Sequence, residues 1–311
     1  MTDSVRTEDI SLVDAPLAAV EEPNGADAGP ARRRSGHPVR SLIKHIVLIV
    51  ASIIMIYPLL WMLVSSFRPA DEIFNNTSIF PSALRLRNYV KGWSAIPGFT
   101  FTNFFINSIT ITVGAILGNL ISCSMAAYAF ARLKFRGRGI FFSIMLMTLM
   151  LPYHVTVVPQ YIMFSKLHFV NTFVPLVLPK FLATDAFFVF LMVQFIRGLP
   201  RELDEAARID GCGHARIFLN IILPLMVPAI ATTTIFTFIW TWNDFFQSLI
   251  YLTRPANFTV PLALNSFLDT TSGSDWGSMF AMSVLSLVPV FLAFLFGQRF
   301  LVRGIATTGI K

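Results

Sequence analysis

The chain has 311 residues, of which 55% are hydrophobic and only 13% charged, and it carries a net charge of +7. That balance lies far from soluble usage and excludes an ordinary water-soluble domain. The basic residues cluster beside apolar runs, so the positive charge fits membrane orientation and argues against a nucleic-acid partner.

Residues 1–37 mix Asp3, Glu8, Asp9, Asp14, Glu21, Glu22 and Asp27 with Ala, Pro and Gly, and read as a disordered tail. The basic start and early apolar run of a signal peptide are missing. A first span is expected at 45–67, after Arg32, Arg33, Arg34, Arg40 and Lys44, which predict a cytoplasmic amino terminus. Residues 68–106 are mixed and aromatic, with Pro81 and Pro97, and read as an outer loop with interfacial pieces. The second span, 105–130, carries Gly114, Gly118, Ser122 and Ala126 at every fourth position, a ridge that lets helices pack backbone to backbone. Arg132, Lys134, Arg136 and Arg138 then mark a short cytoplasmic loop.

The third span, 139–163, contains Pro152 and Pro159, which predict a kink or break near its outer end. A brief outer loop at 165–172 leads to the fourth span, 175–196, with Lys180 and Asp185 inside it. An ionisable residue within a span is a functional candidate. Pro179, however, predicts that regular helix begins only after Lys180, which places that side chain at the interface.

Residues 202–225 form the longest charged segment closely flanked by spans. Pro200 can open a helix there, and Glu202, Asp204 and Glu205 suit its first turn. Leu203, Ala206, Ala207 and Asp210 recur at helical spacing as a face of small residues. Gly211 and Gly213 supply a stop and a turn, and a second helix follows from His214 through Phe218, Ile221 and Leu225. A bland alternative is a solvated loop with an Asp204–Arg208 pair.

The fifth span, 221–246, places Thr234, Thr237, Thr241 and Asp244 on one face, with Ser248 continuing the line. Such a stripe borders a solute pathway or, alternatively, bonds back to its own helix or a neighbour. Trp240, Trp242, Phe245 and Phe246 crowd one end, as an aromatic belt or as sugar-stacking rings. Residues 247–277 read as a second large outer loop, 277–297 as the sixth span, and 298–311 as a basic tail. Six spans put sixteen Lys and Arg side chains on one side and six on the other, which places residues 202–225 in the cytoplasm.

Cys123 and Cys212 form no disulfide framework or metal-ligand spacing, and the five histidines are scattered. No Walker A, GxSxG or HExxH pattern occurs, so no enzyme activity, metal site or cofactor is expected in this chain.

Glu205-Ala206-Ala207, Gly211, and Ile221-x-Leu223-Pro224 resemble the EAA loop of permease subunits of bacterial ABC importers. Asn107-Ser108-Ile109, the run Ala126–Arg132, Trp242-Asn243-Asp244-Phe245 and the run Gln298–Gly304 extend the resemblance over about residues 40–311. Together they are similar to the carbohydrate-uptake branch, specifically the second permease of maltose-type importers.

The resemblance implies an all-α membrane protein: six transmembrane helices with a cytoplasmic EAA-loop coupling helix. Behind the tail that composition reads as disordered and cytoplasmic (1–37), which is unusual for the family, it implies one permease domain (38–311), with the EAA loop at 200–224 and a cytoplasmic tail at 298–311. Implied partners are a second permease subunit, two cytoplasmic ATPase subunits that bind ATP and Mg, an extracytoplasmic solute-binding protein and a sugar. The implied location is the bacterial plasma membrane with both termini cytoplasmic. Glu205, Ala206, Ala207, Asp210, Gly211, Ile221, Leu223 and Pro224 would couple to the ATPase, while the partner permease would hold most of the sugar site. Cys212 departs from the usual alanine but is similar in size. An importer of a non-sugar solute, such as a glycerol phosphate or an amino acid, is an alternative. A channel or proton-coupled carrier is another, and would need more intramembrane acids than Asp185 and Asp244.

Overall fold

The computed structural model describes residues 38–75, 81–268 and 275–306, and the regular structure among them is entirely helical. The disorder expected at 1–37, the tail end 307–311 and Ser272 in the expected outer loop lie outside the described residues. By packing, Met1–Met55 and Ile56–Lys311 are separate units. Four helices are long and apolar enough to cross a membrane, at Ser41–Ser65, Phe101–Arg132, Val174–Arg197 and Trp276–Arg299. Two bent helix pairs bring the count to six when each pair is taken as one span.

The first helix, α1 (Pro38–Ser65), exposes every side chain from residue 41 to residue 60. So apolar a surface is stable only against hydrocarbon. A short helix, α2 (Arg87–Trp93), packs against the last helix, α14 (Trp276–Ala306), where Gly92 closely faces Met282 and Ser278. Lys91 Nζ lies 2.9 Å from Asp275 Oδ2 at the same contact. Burial acts to raise the Asp275 carboxyl, yet hydrogen bonds from Lys91 and Ser278 hold it below the usual range.

The longest of the described helices, α3 (Phe101–Arg132), is the axis of the second unit. Its start packs Phe101 and Phe104 against Trp242, Val260 and Phe267. Its far end packs Cys123, Ala127, Tyr128 and Ala131 against Phe188, Met192, Ile196, Ala207 and Ile217. The small-residue ridge serves this packing. A Cβ on Gly114 would meet Val177 at 2.9 Å, and one on Gly118 would meet Lys180 and Phe181 at 2.8–2.9 Å. Ser122 Oγ donates to the Lys180 carbonyl at 2.6 Å.

Proline breaks three of the expected spans. The third is two helices, α4 (Arg138–Thr148) and α5 (Tyr153–Lys166), bent by 100°. Pro152 stands at the break as the cap of α5, and Pro159 is tolerated inside it. The fourth begins with α6 (Val174–Val177), tightens into a 3₁₀ segment at Leu178–Leu182, and turns through Ala183 with φ +53°. Regular helix resumes as α7 (Ala186–Arg197), past Lys180 as the sequence predicts.

A charged helix, α8 (Glu202–Ile209), precedes the fifth span, which is not the single helix expected at 221–246. It starts with α9 (His214–Ile217), widens to a π turn at Phe218–Ile222, and passes through α10 (Leu223–Leu225). A bend of 75° leads to α11 (Val227–Trp242). Pro224 and Pro228 cannot donate to the preceding turn, and the π turn and the bend absorb the mismatch. Asn243 ends α11, and Asp244 caps α12 (Phe245–Tyr251) by accepting from Gln247 N at 3.0 Å.

The 247–277 segment is not an open loop in its described part. It contains most of α12, a 3₁₀ turn at Pro255–Asn257 and α13 (Val260–Asn265), and it buries Tyr251, Leu252, Val260, Leu262, Ala263 and Phe267. Side chains from elsewhere tie it down. Asn107 Nδ2 donates to the carbonyls of Ala256 and Phe258 at 2.8 and 3.0 Å, and Ser108 Oγ accepts from Val260 N at 2.9 Å. Asn171, with φ +63°, accepts from Thr253 N and Arg254 N, and its carbonyl accepts from Asn257 at 2.7 Å. Only Thr253, Arg254, Pro255 and Ala256 among residues 251–260 remain exposed.

Asn107→Ala removes two hydrogen bonds from this clamp and should lower stability by about 1–3 kcal/mol. Limited proteolysis in detergent should then cut faster at the Arg254 turn, and wild-type protection there would refute the clamp.

Candidate functional site

The charged segment opens with α8, whose first turn carries Glu202, Asp204 and Glu205 beside the positive helix end. Arg201 is its cap, so Pro200 stands just ahead of the helix and not at its first position. Gly211 at φ +76° closes the turn, in the left-handed region where a side chain is strained. Across it, Cys212 N donates to the Ala207 carbonyl at 2.9 Å. Cys212 is half-buried against the same core as Ala207.

The face of small residues divides. Ala207 turns inward, while Leu203, Glu205, Ala206, Asp210 and Gly211 stay exposed. Ile209 is 88% exposed. On the second helix Ile221 and Leu223 are half-buried and Pro224 is exposed.

Asp204 does not pair with Arg208. Its Oδ2 lies 2.9 Å from Arg132 Nε at the end of α3, and the two side chains are only 7% and 3% exposed. Arg132 Nη2 also donates to the Leu199 and Pro200 carbonyls at 2.9 and 3.4 Å. One guanidinium therefore gathers the end of α3, the turn after α7 and the inner face of α8. The Tyr128 and Phe218 rings lie tilted alongside with centroids 5.2 Å apart, and Tyr128 Oη lies 3.4 Å from His214 Nδ1. Arg197 caps this region over the Phe142 ring at 5.0 Å. A cleft of about 310 Å³ beside the pair is lined by Arg132, Lys134, Arg201, Arg208 and His214 with Asp204 and Glu205.

A second polar region lies between the broken helices. Lys180 Nζ donates to both Asp185 oxygens, at 3.1 and 2.9 Å. Asn119 Nδ2 reaches Asp185 Oδ2 at 2.7 Å and Thr237 Oγ1 at 3.1 Å. Two cavities of about 360 and 720 Å³ share Tyr153, Leu176, Lys180, Trp240 and Gln247 in their walls. The smaller is also lined by Thr241, Asp244 and Ser248, the larger by Asp185.

The threonine stripe is thereby split. Thr241 and Asp244 line the cavity. Thr237 is buried against Asn119, and Thr234 Oγ1 bonds back to the Ile230 carbonyl at 2.8 Å. Trp242 is buried, donating to the Ser286 carbonyl at 3.2 Å, whereas Trp240 is 51% exposed at the cavity. No metal-ligating cluster exists among the described residues.

Sequence reasoning passed over three residues. Arg132 counted as a cytoplasmic marker and as the end of a motif run, although its position ending an apolar span signalled a helix-end role. Asn119, an amide amid an apolar run, carried the signal of a buried polar partner. Ile209 stood out as an apolar residue at the end of a charged helix.

Comparison with known proteins places these features in context. A family model described as the inner membrane component of binding-protein-dependent transport systems matches residues 118–307. The arabinooligosaccharides transport system permease protein AraQ of Halalkalibacterium halodurans is 36% identical over 282 residues, covering 90% of this chain and 99% of that one. The diacetylchitobiose uptake system permease protein DasC of Streptomyces coelicolor is 30% identical, covering 86% of this chain and 96% of that one. In fold, the chain is similar to one in a crystal structure of a bacterial ABC transporter importing the acidic polysaccharide alginate. That match has TM-score 0.75 and 21% identity, and covers 87% of this chain and 99% of that one.

Removing either partner of the buried pair strands the other charge. Arg132→Ala and Asp204→Ala should each cost about 3–5 kcal/mol, seen as a lower midpoint of thermal unfolding in detergent. Arg132→Met with Asp204→Leu should recover much of the loss. Additive losses in that double variant would show that the two side chains act independently.

Proposed function

The chain belongs to the inner membrane components of binding-protein-dependent transport systems, and from that membership we propose that it is the permease subunit of an ATP-driven importer of oligosaccharides. The family is a transporter family, and its inner-membrane location agrees with the apolar helices. Dependence on a binding protein removes the channel and proton-coupled carrier alternatives. The sugar reading is supported by the oligosaccharide names of relatives that align over most of both chains.

The observation that carries the coupling mechanism is the exposed outer face of α8, held rigidly to α3 through Arg132 and Asp204. Glu205, Ala206, Ile209, Asp210 and Gly211 form the surface offered to a cytoplasmic ATPase subunit. Ala207 acts from within by seating α8 on the core, and Ile221, Leu223 and Pro224 join it to the fifth span. Movement of the ATPase would tilt α8 and α3 together and change access to the cavity between the helices. ATP and Mg belong to the partner subunits, and a second permease completes the pathway.

Thr241 and Asp244 are the pathway residues of this chain, with Thr234 and Thr237 serving structure. The exposed turn Thr253–Ala256 is the part of the 247–277 segment offered to the solute-binding protein. The sixteen-to-six bias of Lys and Arg toward the side that holds residues 202–225 supports a cytoplasmic position for that segment and both termini. A non-sugar anion such as a glycerol phosphate is disfavoured because Lys180 is already paired with Asp185.

A cysteine replacing His214 should resist an impermeant thiol reagent in intact cells and react in inside-out vesicles. Labelling from outside would overturn the orientation. Gly211→Val should leave the protein in the membrane but reduce sugar-stimulated ATP hydrolysis and uptake about tenfold, matching ~1.4 kcal/mol of strain at a left-handed residue. Stimulation at wild-type efficiency would refute the role of α8 in coupling.

A further inference from the structure

We infer that the cavity beside Trp240 is a subsite for one uncharged sugar residue of the transported chain, with Trp240 as its stacking floor, and that it rejects acidic sugars. The inference rests on the importer reading and specifies its ligand in this subunit.

Three observations carry it. The smaller cavity, about 360 Å³, falls in the range of small-molecule sites and combines aromatic walls with a few polar groups. Those groups include Thr241, Asp244 and Gln247, which are half-buried and would be costly against lipid. The cavity is therefore a place for water and solute.

Trp240 has the geometry of a platform. Phe187, Phe188 and Phe236 back it at centroid distances of 5.7, 5.2 and 5.6 Å, while half of its surface stays open. The C–H face of a pyranose or furanose is apolar and packs on the electron-rich face of an indole. The ring's hydroxyls can then exchange hydrogen bonds with Thr241, Asp244 and Gln247.

Charge selects among sugars. Lys180 is the one Lys or Arg lining either cavity among the described residues, and both Asp185 oxygens hold its ammonium. Asn119 fixes Asp185 in turn. Asp244 stands in the wall of the smaller cavity beside this pair. A uronic acid would meet carboxyl groups and no open cation, whereas a neutral sugar loses nothing.

The test uses the complete transporter in detergent with its partner subunits, titrated calorimetrically without the binding protein, whose own selectivity then does not enter. Arabinotriose and trigalacturonate are the neutral and acidic probes. Arabinotriose should bind the wild type at least about tenfold more tightly than trigalacturonate, and Trp240→Ala should weaken arabinotriose about tenfold. Asp185→Asn, which frees Lys180, should narrow the gap between the probes about tenfold. Equal binding of both probes by the wild type, or wild-type arabinotriose affinity in Trp240→Ala, would overturn the subsite and leave Trp240 as an interfacial anchor. If Trp240→Ala fails to assemble, the Asp185→Asn arm decides. ATP-driven uptake with the binding protein present separates the two readings. Uptake of neutral oligosaccharides without detectable binding here sinks the subsite alone, and no uptake across a panel of them sinks the importer reading.

Discussion

A guanidinium and a carboxylate, both removed from water, join the longest of the described helices to the charged helix α8. Arg132 and Asp204 would each be expensive to bury alone, and together they make the placement of α8 nearly all-or-none. Arg132 also satisfies the carbonyls of Leu199 and Pro200 in the turn after α7. An apolar contact in this position could slide. A buried charge pair whose guanidinium also donates to two carbonyls resists sliding, so force on α8 would reach α3 and the turn after α7.

The other end of that lever is a region where helices are interrupted. Proline and a left-handed Ala183 break the third and fourth spans close to Lys180, and Asn243 breaks the fifth beside Asp244. Each break frees backbone groups that helices would otherwise satisfy, and the ridge of α3 answers part of this need through Ser122 and the close approach at Gly118. Broken helices and a half-buried ion pair thus occur together for a reason. The backbone departs from helix where side chains must reach a cavity.

Much of this was legible in the residues. Composition and charge clusters indicated six spans, Pro152 marked a break, the glycine ridge marked close packing, and Gly211 marked a left-handed turn. These features are local, and each rests on one residue's covalent shape or on a repeating pattern. What stayed hidden was pairing at a distance. Asp204 is equally suited to a first helix turn and to a buried pair, and only the fold brings Arg132 beside it. The stripe Thr234, Thr237, Thr241 and Asp244 presumed one uninterrupted environment. Asn119 claims Thr237, the helix ends at Trp242, and only Thr241 and Asp244 reach the cavity. The segment 247–277 looked open because its helices are too short to show a period.

The π turn at Phe218–Ile222 carries one residue more than an α turn, and its effect is one of phase. The fully buried positions through this stretch, Ile217, Ile222 and Met226, are five and then four residues apart, where one α-helical face would keep to threes and fours. The surplus residue advances everything beyond it by about 100° around the axis. Without that offset, the face that seats α9 on the core would emerge from α10 pointing elsewhere, and the two ends of the segment could not both be buried. The turn thus works as a splice between two helices cut to different clocks.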